Sequence, residues 1–443
     1  MFKMVEKDLI VIGGGPTGST IASYMSMKGY KVTLFEKEKF PRPHVGESLL
    51  PFNYFLFEEL GVLDKMETRF HRKPGVKFTN SDGSASTVWY FDHVIKNPSS
   101  LSFHVDRAAF DKLLLDRSKE LGAIVYEETA VKKVEFKEDE NKVIVSTLNK
   151  MGQKGEFTAD FIIDASGQNT FLANHFKDKS NYEGLDRVAV NSHWNNPSYD
   201  KELEEGCIEI IHLGGEKMGW IWAIPISSKR LSVGVVMSAD YFKSLRKKYA
   251  GESNILDKIY LSELTESPVI SKILKNAEKD APAMAHGDYS YYTNKKYGDQ
   301  FAIIGDASAF LDPIFSSGIY IGMMSAKFLS ESLDEAFQKG LPPSDLIKSV
   351  YDDLNGGYDL VEKLIRIFYD PNAISLPNIG LIRNEGYEKF HTAYKIYHFL
   401  LQGDFLKNHQ KYSKAADILK DTKQLEKYTN FVKSKDSEAV IHP

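Results

Sequence analysis

Residues 8–36 read DLIVIGGGPTGSTIASYMSMKGYKVTLFE, and the order of features in this stretch decides the fold. Asp8–Ile12 is a short apolar run suited to a buried parallel strand. Gly13, Gly15 and Gly18 form a Gly-x-Gly-x-x-Gly turn, and a helical stretch follows to Lys28. Gly29 ends that helix. Lys31–Phe35 reads as the next strand, with Glu36 at its end, 23 residues after Gly13. Such a βαβ unit binds a dinucleotide: glycines permit the tight turn and the close approach of pyrophosphate. The helix N-terminus faces the phosphates, and the acid accepts from a ribose hydroxyl. At this point FAD and NAD are both open.

Beyond it, helical and strand-like stretches alternate. Leu101–Gly122 has helical spacing, while Ala123–Val125, Lys132–Phe136 and Lys142–Thr147 alternate as strands. Phe161–Asp164 and Phe301–Ile304 are short buried-strand types, Val188–Ser238 reads as sheet, and Ser316–Pro443 is mainly helical. The predicted fold class is α/β: a Rossmann-like domain interrupted by a β-sheet domain, with a helical C-terminal region.

Composition narrows the classes. The 443 residues carry 56 Lys+Arg against 61 Asp+Glu, a net charge of −5, which argues against nucleic-acid binding. A 42% hydrophobic and 12% aromatic content excludes a disordered chain. One cysteine, Cys207, excludes an internal disulfide and a multi-thiolate metal site, and reads as a buried small side chain. The 12 histidines show no close ligand spacing, so no metal is expected. No apolar run approaches the ~18–20 residues that span a bilayer, and the N-terminus lacks a signal-peptide pattern. A cytoplasmic location is the expectation.

Asp164-Ala165-Ser166-Gly167 and Gly305-Asp306-Ala307 each close a strand. Either aspartate can meet a ribityl hydroxyl or simply cap a turn. Together with the glycine turn and Val105-Asp106-Arg107-x-x-Phe110-Asp111, they resemble the FAD-binding elements of the para-hydroxybenzoate-hydroxylase-fold flavoproteins, over residues 1 to about 330. The resemblance implies FAD, bound by Gly13, Gly15, Pro16, Thr17, Gly18, Glu36, Lys37, Ser48, Arg107, Val131, Gly167, Asp306, Pro313, Gly318 and Ile319. It implies a FAD-binding domain in three parts, 1–80, 101–175 and 291–330. The β-rich substrate domain takes 81–100 and 176–290, and a helical region takes 331–443.

Three further segments point to chemistry. Trp220-Ile221-Trp222-Ala223-Ile224-Pro225 either fills a sheet core or lines a flavin. With Gly219, it resembles the W-x-W-x-I-P segment of flavin-dependent halogenases, and a related segment occurs in geranylgeranyl reductases of the same fold. PRPHVGESLLP (41–51) and Lys73 in KPGVKF are similar to halogenase segments, which makes Lys73 the active-site lysine. Lys77 competes for that role, and a surface position is the plain reading of Lys73. In FLDPIFSSGI (310–319), a Ser-Ser-Gly turn enters a helix whose unpaired N–H donors can hold an anion.

By the same resemblance Ser316 joins Lys73 as catalytic, the amides of Ser317 and Gly318 hold halide, and Phe315, Trp220 and Trp222 line flavin and substrate. Phe315 stands where tryptophan halogenases carry a glutamate, which favours the branch acting on phenols or pyrroles and leaves no named general base. Reduced flavin, dioxygen and halide would give hypohalous acid, delivered by Lys73 to an electron-rich aromatic ring, free or carrier-bound. A separate reductase would supply reduced FAD. An aromatic hydroxylase, a prenyl reductase and a non-catalytic flavin binder are the alternatives. Lys407–Lys435 reads as a solvated helical face or a docking surface.

Overall fold

A computed structural model describes residues 6–373 apart from 94, 288 and 289, together with 376–377, 403 and 405–417. It divides into two compact units. The first holds the described residues of Met1–Phe70, Val105–Glu183 and Ser290–Asn355. The second holds those of His71–His104, Gly184–Tyr289 and Gly356–Pro443.

The first unit is built on a five-stranded parallel sheet. Its order is Phe301–Ile303, Phe161–Asp164, β1 (Asp8–Ile12), β2 (Lys31–Phe35) and Ile124–Tyr126. The apolar runs lie here because strands covered on both faces have no polar side to show. α1 (Pro16–Met27) starts immediately after β1, with Pro16 in its first turn, and packs against the helices Arg107–Glu120 and Gly318–Lys339. An antiparallel sheet of Thr129–Lys137, Lys142–Asn149 and Lys154–Ala159 shares a core with the parallel one through Ile10, Phe35, Val134, Val145, Ile162 and Ile303.

One sequence reading needs correction. The helix predicted over Leu101–Gly122 occupies only Arg107–Glu120, and Ser102–His104 is a strand. The break falls at Asp106, whose carboxylate accepts from the Ala109 N–H at 3.1 Å. A capping aspartate holds its own backbone extended, so the periodic pattern before it cannot join the helix.

The second unit is an eight-stranded, mostly antiparallel sheet. Its main order runs Glu278–Lys279, Arg187–Asn195, Arg230–Ser238, Gly219–Ser227, Ile208–Leu213, Gly75–Thr79 and Ser86–Tyr90. Met284–Gly287 adds to Arg187–Asn195. Ile221, Ala223, Val233 and Val235 share a buried core with Leu245, Ile259, Leu264 and Ile270 from three short helices. Trp220 and Trp222 alternate with these core positions and so project from the other face.

Of the expected helical C-terminal region, Pro343–Tyr369 and His409–Asp417 are described helices, as is Gly318–Lys339, which begins ahead of it. Residues 378–402 and 418–443, with most of the Lys407–Lys435 tail, lie outside the described residues. Among the described residues no helix is long and apolar enough to cross a membrane.

Candidate functional site

In the first unit the three glycines of the opening turn have different duties. Gly13 has φ +100°, and a Cβ there would lie 2.4 Å from the Ala165 carbonyl oxygen. A Cβ on Gly18 would fall 1.9 Å from Gly13 O. Both positions are forced by packing. Gly15 differs: a Cβ there would meet only Arg42 Nη2, 3.8 Å away, so this backbone is open to a ligand. Thr17 fills the crevice opposite Gly305 and Gly322, where added Cβ atoms would lie 2.6 and 2.2 Å from its hydroxyl. This contact locks the start of α1 against Gly305-Asp306 and the helix that begins at Gly318.

Glu36, buried at the end of β2, accepts from the Gly14 N–H at 2.7 Å and the Glu38 N–H at 2.8 Å. A carboxylate has about four acceptor positions, so two remain for a ribose. Lys37 lies on the surface and donates to Asn169 Oδ1 at 3.0 Å. Val131 sits at a β-bulge, and Gly167 has φ +61° with nothing within 4 Å of an added Cβ.

The two strand-end aspartates separate. Asp164 accepts from the Ser166 N–H at 2.9 Å and the Leu172 N–H at 2.6 Å, so it is a turn cap. Asp306 lies beside the helix start, its Oδ1 3.7 Å from an added Cβ on Gly318. Burial pushes the Asp306 carboxyl up to about 6, against the pull of the Arg107 charge. Pro313 opens a short 3-10 turn capped by Asp312, whose carboxylate accepts from Ile314 N–H at 3.2 Å. Ser316, at φ +55°, turns the chain into the helix whose N-cap is Ser317. The Ser317 carbonyl accepts the first helical bond, from Ile321, so the amides of Gly318 and Ile319 lack intrahelical acceptors. Phe315 is buried.

Arg107 is buried, with a bidentate pair to Asp111 at 2.7 and 2.9 Å and further bonds to the Val45 and Gly46 carbonyls at 2.5 and 3.2 Å. Arg42 is a residue the sequence reading did not single out, whereas Asp111 stood in the segment it quoted. Arg42 Nη1 lies 3.2 Å from Asp111 Oδ2, while its Nη2 faces Gly15. The i,i+4 pairing of Arg107 with Asp111 was visible in the sequence; Arg42's approach to the glycine turn was not. Arg107 and Asp111 anchor the 41–51 loop, which carries Ser48 with its hydroxyl buried and without a hydrogen-bond partner among the described residues. The Arg107 charge, more than burial, brings His44 in this loop down to about 4. The open Gly15 face and the unsatisfied Ser48 hydroxyl fit FAD, whose pyrophosphate needs a bare backbone and whose polar groups can satisfy a waiting hydroxyl.

In the second unit Lys73 ends the strand His71–Lys73 and is 1% exposed. Its Nζ lies 5.4 Å from the centroid of the Phe91 ring. Burial brings its pKa down to about 7. The plain surface-lysine reading therefore fails. Lys77 has other work: its Nζ lies 2.8 Å from Asp200, 3.4 Å from Glu202 and 3.1 Å from the buried Glu209. Burial opposes its charge, but Glu209 and Asp200 outweigh that and hold the ammonium above its usual range. Cys207 is buried, which pushes its thiol up to about 12.

The strand carrying GWIWAIP packs against both His71–Lys73 and its partner Ser102–His104. Trp222 donates to Ser232 Oγ at 3.1 Å and lies across Gly234, where an added Cβ would come within 2.2 Å of the indole. The Trp220 and Trp222 ring centroids are 5.6 Å apart. Thus the second unit assembles the lysine and the tryptophan pair, and the first carries the residues expected to contact FAD. Among the described residues no cluster of three or more His, Cys, Asp or Glu could hold a metal ion.

A parallel-sheet nucleotide site of this kind defines a flavoprotein of the FAD-dependent oxidoreductases. The sequence profile of the tryptophan halogenase family matches residues 8–101 and 84–373, and the chain belongs to this family of flavin-dependent halogenases. It is 32% identical to a 1H-pyrrole-2-carbonyl-[peptidyl-carrier protein] chlorinase of Pseudomonas fluorescens, over 79% of this chain and 80% of that protein. The flavin-dependent brominase Bmp2 superposes with a TM-score of 0.79 at 27% identity, covering 98% of this chain and 100% of the other. The myxobacterial chondrochloren halogenase CndH, a FAD-dependent halogenase, superposes at 0.75 and 26% identity, covering 93% and 97%. The chain is therefore a FAD-dependent halogenase, and the hydroxylase, reductase and scaffold alternatives fall away.

Proposed function

We propose that this halogenase acts on a pyrrole- or phenol-like ring, with Lys73 delivering the halogen. The observation that carries this reading is Lys73 itself: fully buried, and on a strand packed by the GWIWAIP strand. A lysine has reason to be sealed in apolar surroundings when its amine must be available uncharged near neutral pH. The acceptance of a pyrrole-type ring is supported by the pyrrole-carbonyl chlorinase among the relatives. It is supported also by Phe315, an apolar side chain where a tryptophan-specific enzyme needs an acid.

Reduced FAD, when bound, supplies the activation of dioxygen that oxidises halide to hypohalous acid. The chain's part is placement. Gly15, Arg42 and the start of α1 bind the pyrophosphate, Glu36 the adenosine ribose, and Asp306, Arg107 and Ser48 the remaining polar groups. The amides of Ser317 and Gly318, at the positive end of a 22-residue helix, hold halide. Lys73 hydrogen-bonds hypohalous acid or takes the halogen on Nζ, and Trp220 and Trp222, on the strand packed against the lysine's strand, exclude water from the ring being attacked. The reading includes a separate reductase in the cytoplasm as the source of reduced flavin. The near-neutral net charge suits a small uncharged ring, free or as a carrier-protein thioester.

Mass spectrometry of reactions containing reduced FAD, oxygen, chloride or bromide, and phenols and pyrroles offered free and as carrier thioesters, tests this. Halogenated pyrrole or phenol that disappears in Lys73→Ala is the expected result. Turnover of free tryptophan alone would overturn it.

A further inference from the structure

The large sheet of the second unit has two faces. One packs on the helix-covered core, and the other carries Trp220 and Trp222. Strand pairing sets Trp222 opposite Gly234, Gly234 opposite Asn191, and Asn191 opposite Met284. Residues directly opposite share a face, so this whole row projects with the tryptophans. Gly234 has no side chain, and the Trp222 indole fills the space above it, 2.2 Å from where a Cβ would stand. The indole therefore reaches over the Arg230–Ser238 strand toward Asn191. Its N–H is used in the 3.1 Å bond to Ser232 Oγ. Trp222 thus offers a bound ring its π face and no hydrogen bond.

Asn191 is 1% exposed, and its Oδ1 is shut off from solvent with no hydrogen-bond partner among the described residues. Neither cross-strand neighbour can supply one, because Gly234 has no side chain and the Met284 thioether has no donor. A buried acceptor left unpaired costs stability. Ser232, on the same face, shows the contrast: its hydroxyl is paired by Trp222.

We propose that Asn191 selects the substrate: its side-chain oxygen accepts the hydrogen of a ring N–H or O–H while Trp222 receives the face of the ring. The inference rests on the reading of the substrate as a pyrrole- or phenol-like ring, and deepens it. Pyrroles and phenols share a polar hydrogen at the ring edge, and a carboxamide oxygen with open lone pairs can take either. A ring held at one edge by Asn191 cannot spin in its own plane, so the same contact decides which carbon meets the halogen. A ring lacking the polar hydrogen leaves the buried oxygen unpaired. A site built around such a bond rejects that analogue more strongly than an apolar pocket rejects a changed methyl group.

Paired substrates test this on the full chain with reduced FAD, oxygen and halide. Pyrrole is compared with 1-methylpyrrole, and a phenol with its methyl ether. The ratio of kcat/KM within each pair is measured for wild type and for Asn191→Val, so the intrinsic reactivity of each ring cancels. Asn191→Val should lower kcat/KM for the N–H or O–H ring roughly 10- to 100-fold, with little effect on the methylated one. A ratio unchanged by the substitution overturns the proposal, including when both members of a pair lose activity equally. Melting curves of the flavin-free wild type and Asn191→Val give a second reading independent of turnover. Because the Asn191 oxygen has no partner, the variant should melt at the wild-type temperature or above it. A clearly lower melting temperature, or a variant that does not fold, shows a carboxamide that serves the fold and overturns the proposal. If the wild type halogenates neither pyrroles nor phenols, the reading of the substrate class has failed instead, and the melting curves still decide whether Asn191 is held for a ligand.

Discussion

Among the ionisable groups that the two units hold out of water, one from each makes a contrast of opposite signs. The first holds the Asp306 carboxyl, pushed up to about 6 by burial. The second holds Lys73, brought down to about 7 by burial. Neighbouring acids and bases in the same units are treated differently: Asp164 is satisfied by two backbone amides, and Lys77 by three carboxylates. Burial raises Asp164 and Glu209 as well, so Asp306 and Lys73 are marked by where they stand, beside the helix start at Gly318 and on the strand packed by GWIWAIP.

The strongest way to break this contrast is to remove the lysine. Lys73→Ala should lower halogenation by about a thousandfold or more while FAD binding and flavin oxidation persist. Lys77→Ala, by contrast, should act on folding, because it leaves buried Glu209 without its cation. Product analysis beside thermal melts separates the two. If Lys77→Ala kills halogenation in a well-folded chain and Lys73→Ala does not, the assignment of roles is reversed.

Next in size is a test within the first unit, at the glycines. Gly15→Val fills the open face of the turn without meeting the backbone, so the chain should fold normally and bind FAD about 100-fold more weakly. Gly18→Ala drives a Cβ against Gly13 O and should compromise folding itself. Flavin titration of each purified variant, with its melting curve, reads the difference. Equal FAD affinity in Gly15→Val and wild type would mean that pyrophosphate does not approach this backbone.

The opposite signs also predict opposite pH slopes. For Asp306 the folded pKa is raised, from the usual 3.8 to about 6. Its folded form is favoured below pH 3.8, and that advantage is lost as pH rises through 6. Asp306→Asn should therefore stabilise the flavin-free chain above about pH 6, by roughly 1–3 kcal/mol, and have no effect at the acid end. For Lys73 the folded pKa is lowered, from 10.5 to about 7. Stability is gained as pH rises from 7 to 10.5, so Lys73→Met should stabilise most below pH 7, by up to about 5 kcal/mol, and not at all above 10.5. Denaturant melts across pH check both; parallel shifts at every pH would show that neither buried charge is held at a cost.

Much of the first unit was legible because local order suffices for it. A buried run, three glycines, a helix, a second run and Glu36 admit one arrangement, and Gly13–Glu36 adopt it. Asp164 and Asp306 look alike in sequence, each an acid at a strand end. What separates them is whether nearby amides turn back onto the carboxylate, which depends on the loop that follows. The helical spacing before Asp106 misled because Phe103 and Val105 satisfy a strand as well as a helix, and only the cap marks the boundary. Ser102 was not legible opposite Lys73 because strand pairing, not spacing, unites them. Arg42 likewise reaches Gly15 only through the folding of its loop.

The smallest effect expected is the one that measures how far the first unit is prepared for its ligand. Ser48 is buried, and its hydroxyl lacks a partner among the described residues. In the flavin-free chain, Ser48→Ala removes a polar group that was costing stability, so its melting temperature should be unchanged or slightly higher. With FAD bound, the same change removes one hydrogen bond, about 0.5–1.5 kcal/mol, or roughly a three- to tenfold loss of affinity. A hydroxyl that served only local packing would give the reverse: a lower melting point without flavin and an unchanged dissociation constant with it. The sign of the flavin-free shift therefore tells whether the Ser48 hydroxyl is held for a ligand or belongs, like the Asp164 carboxylate, to the fold alone.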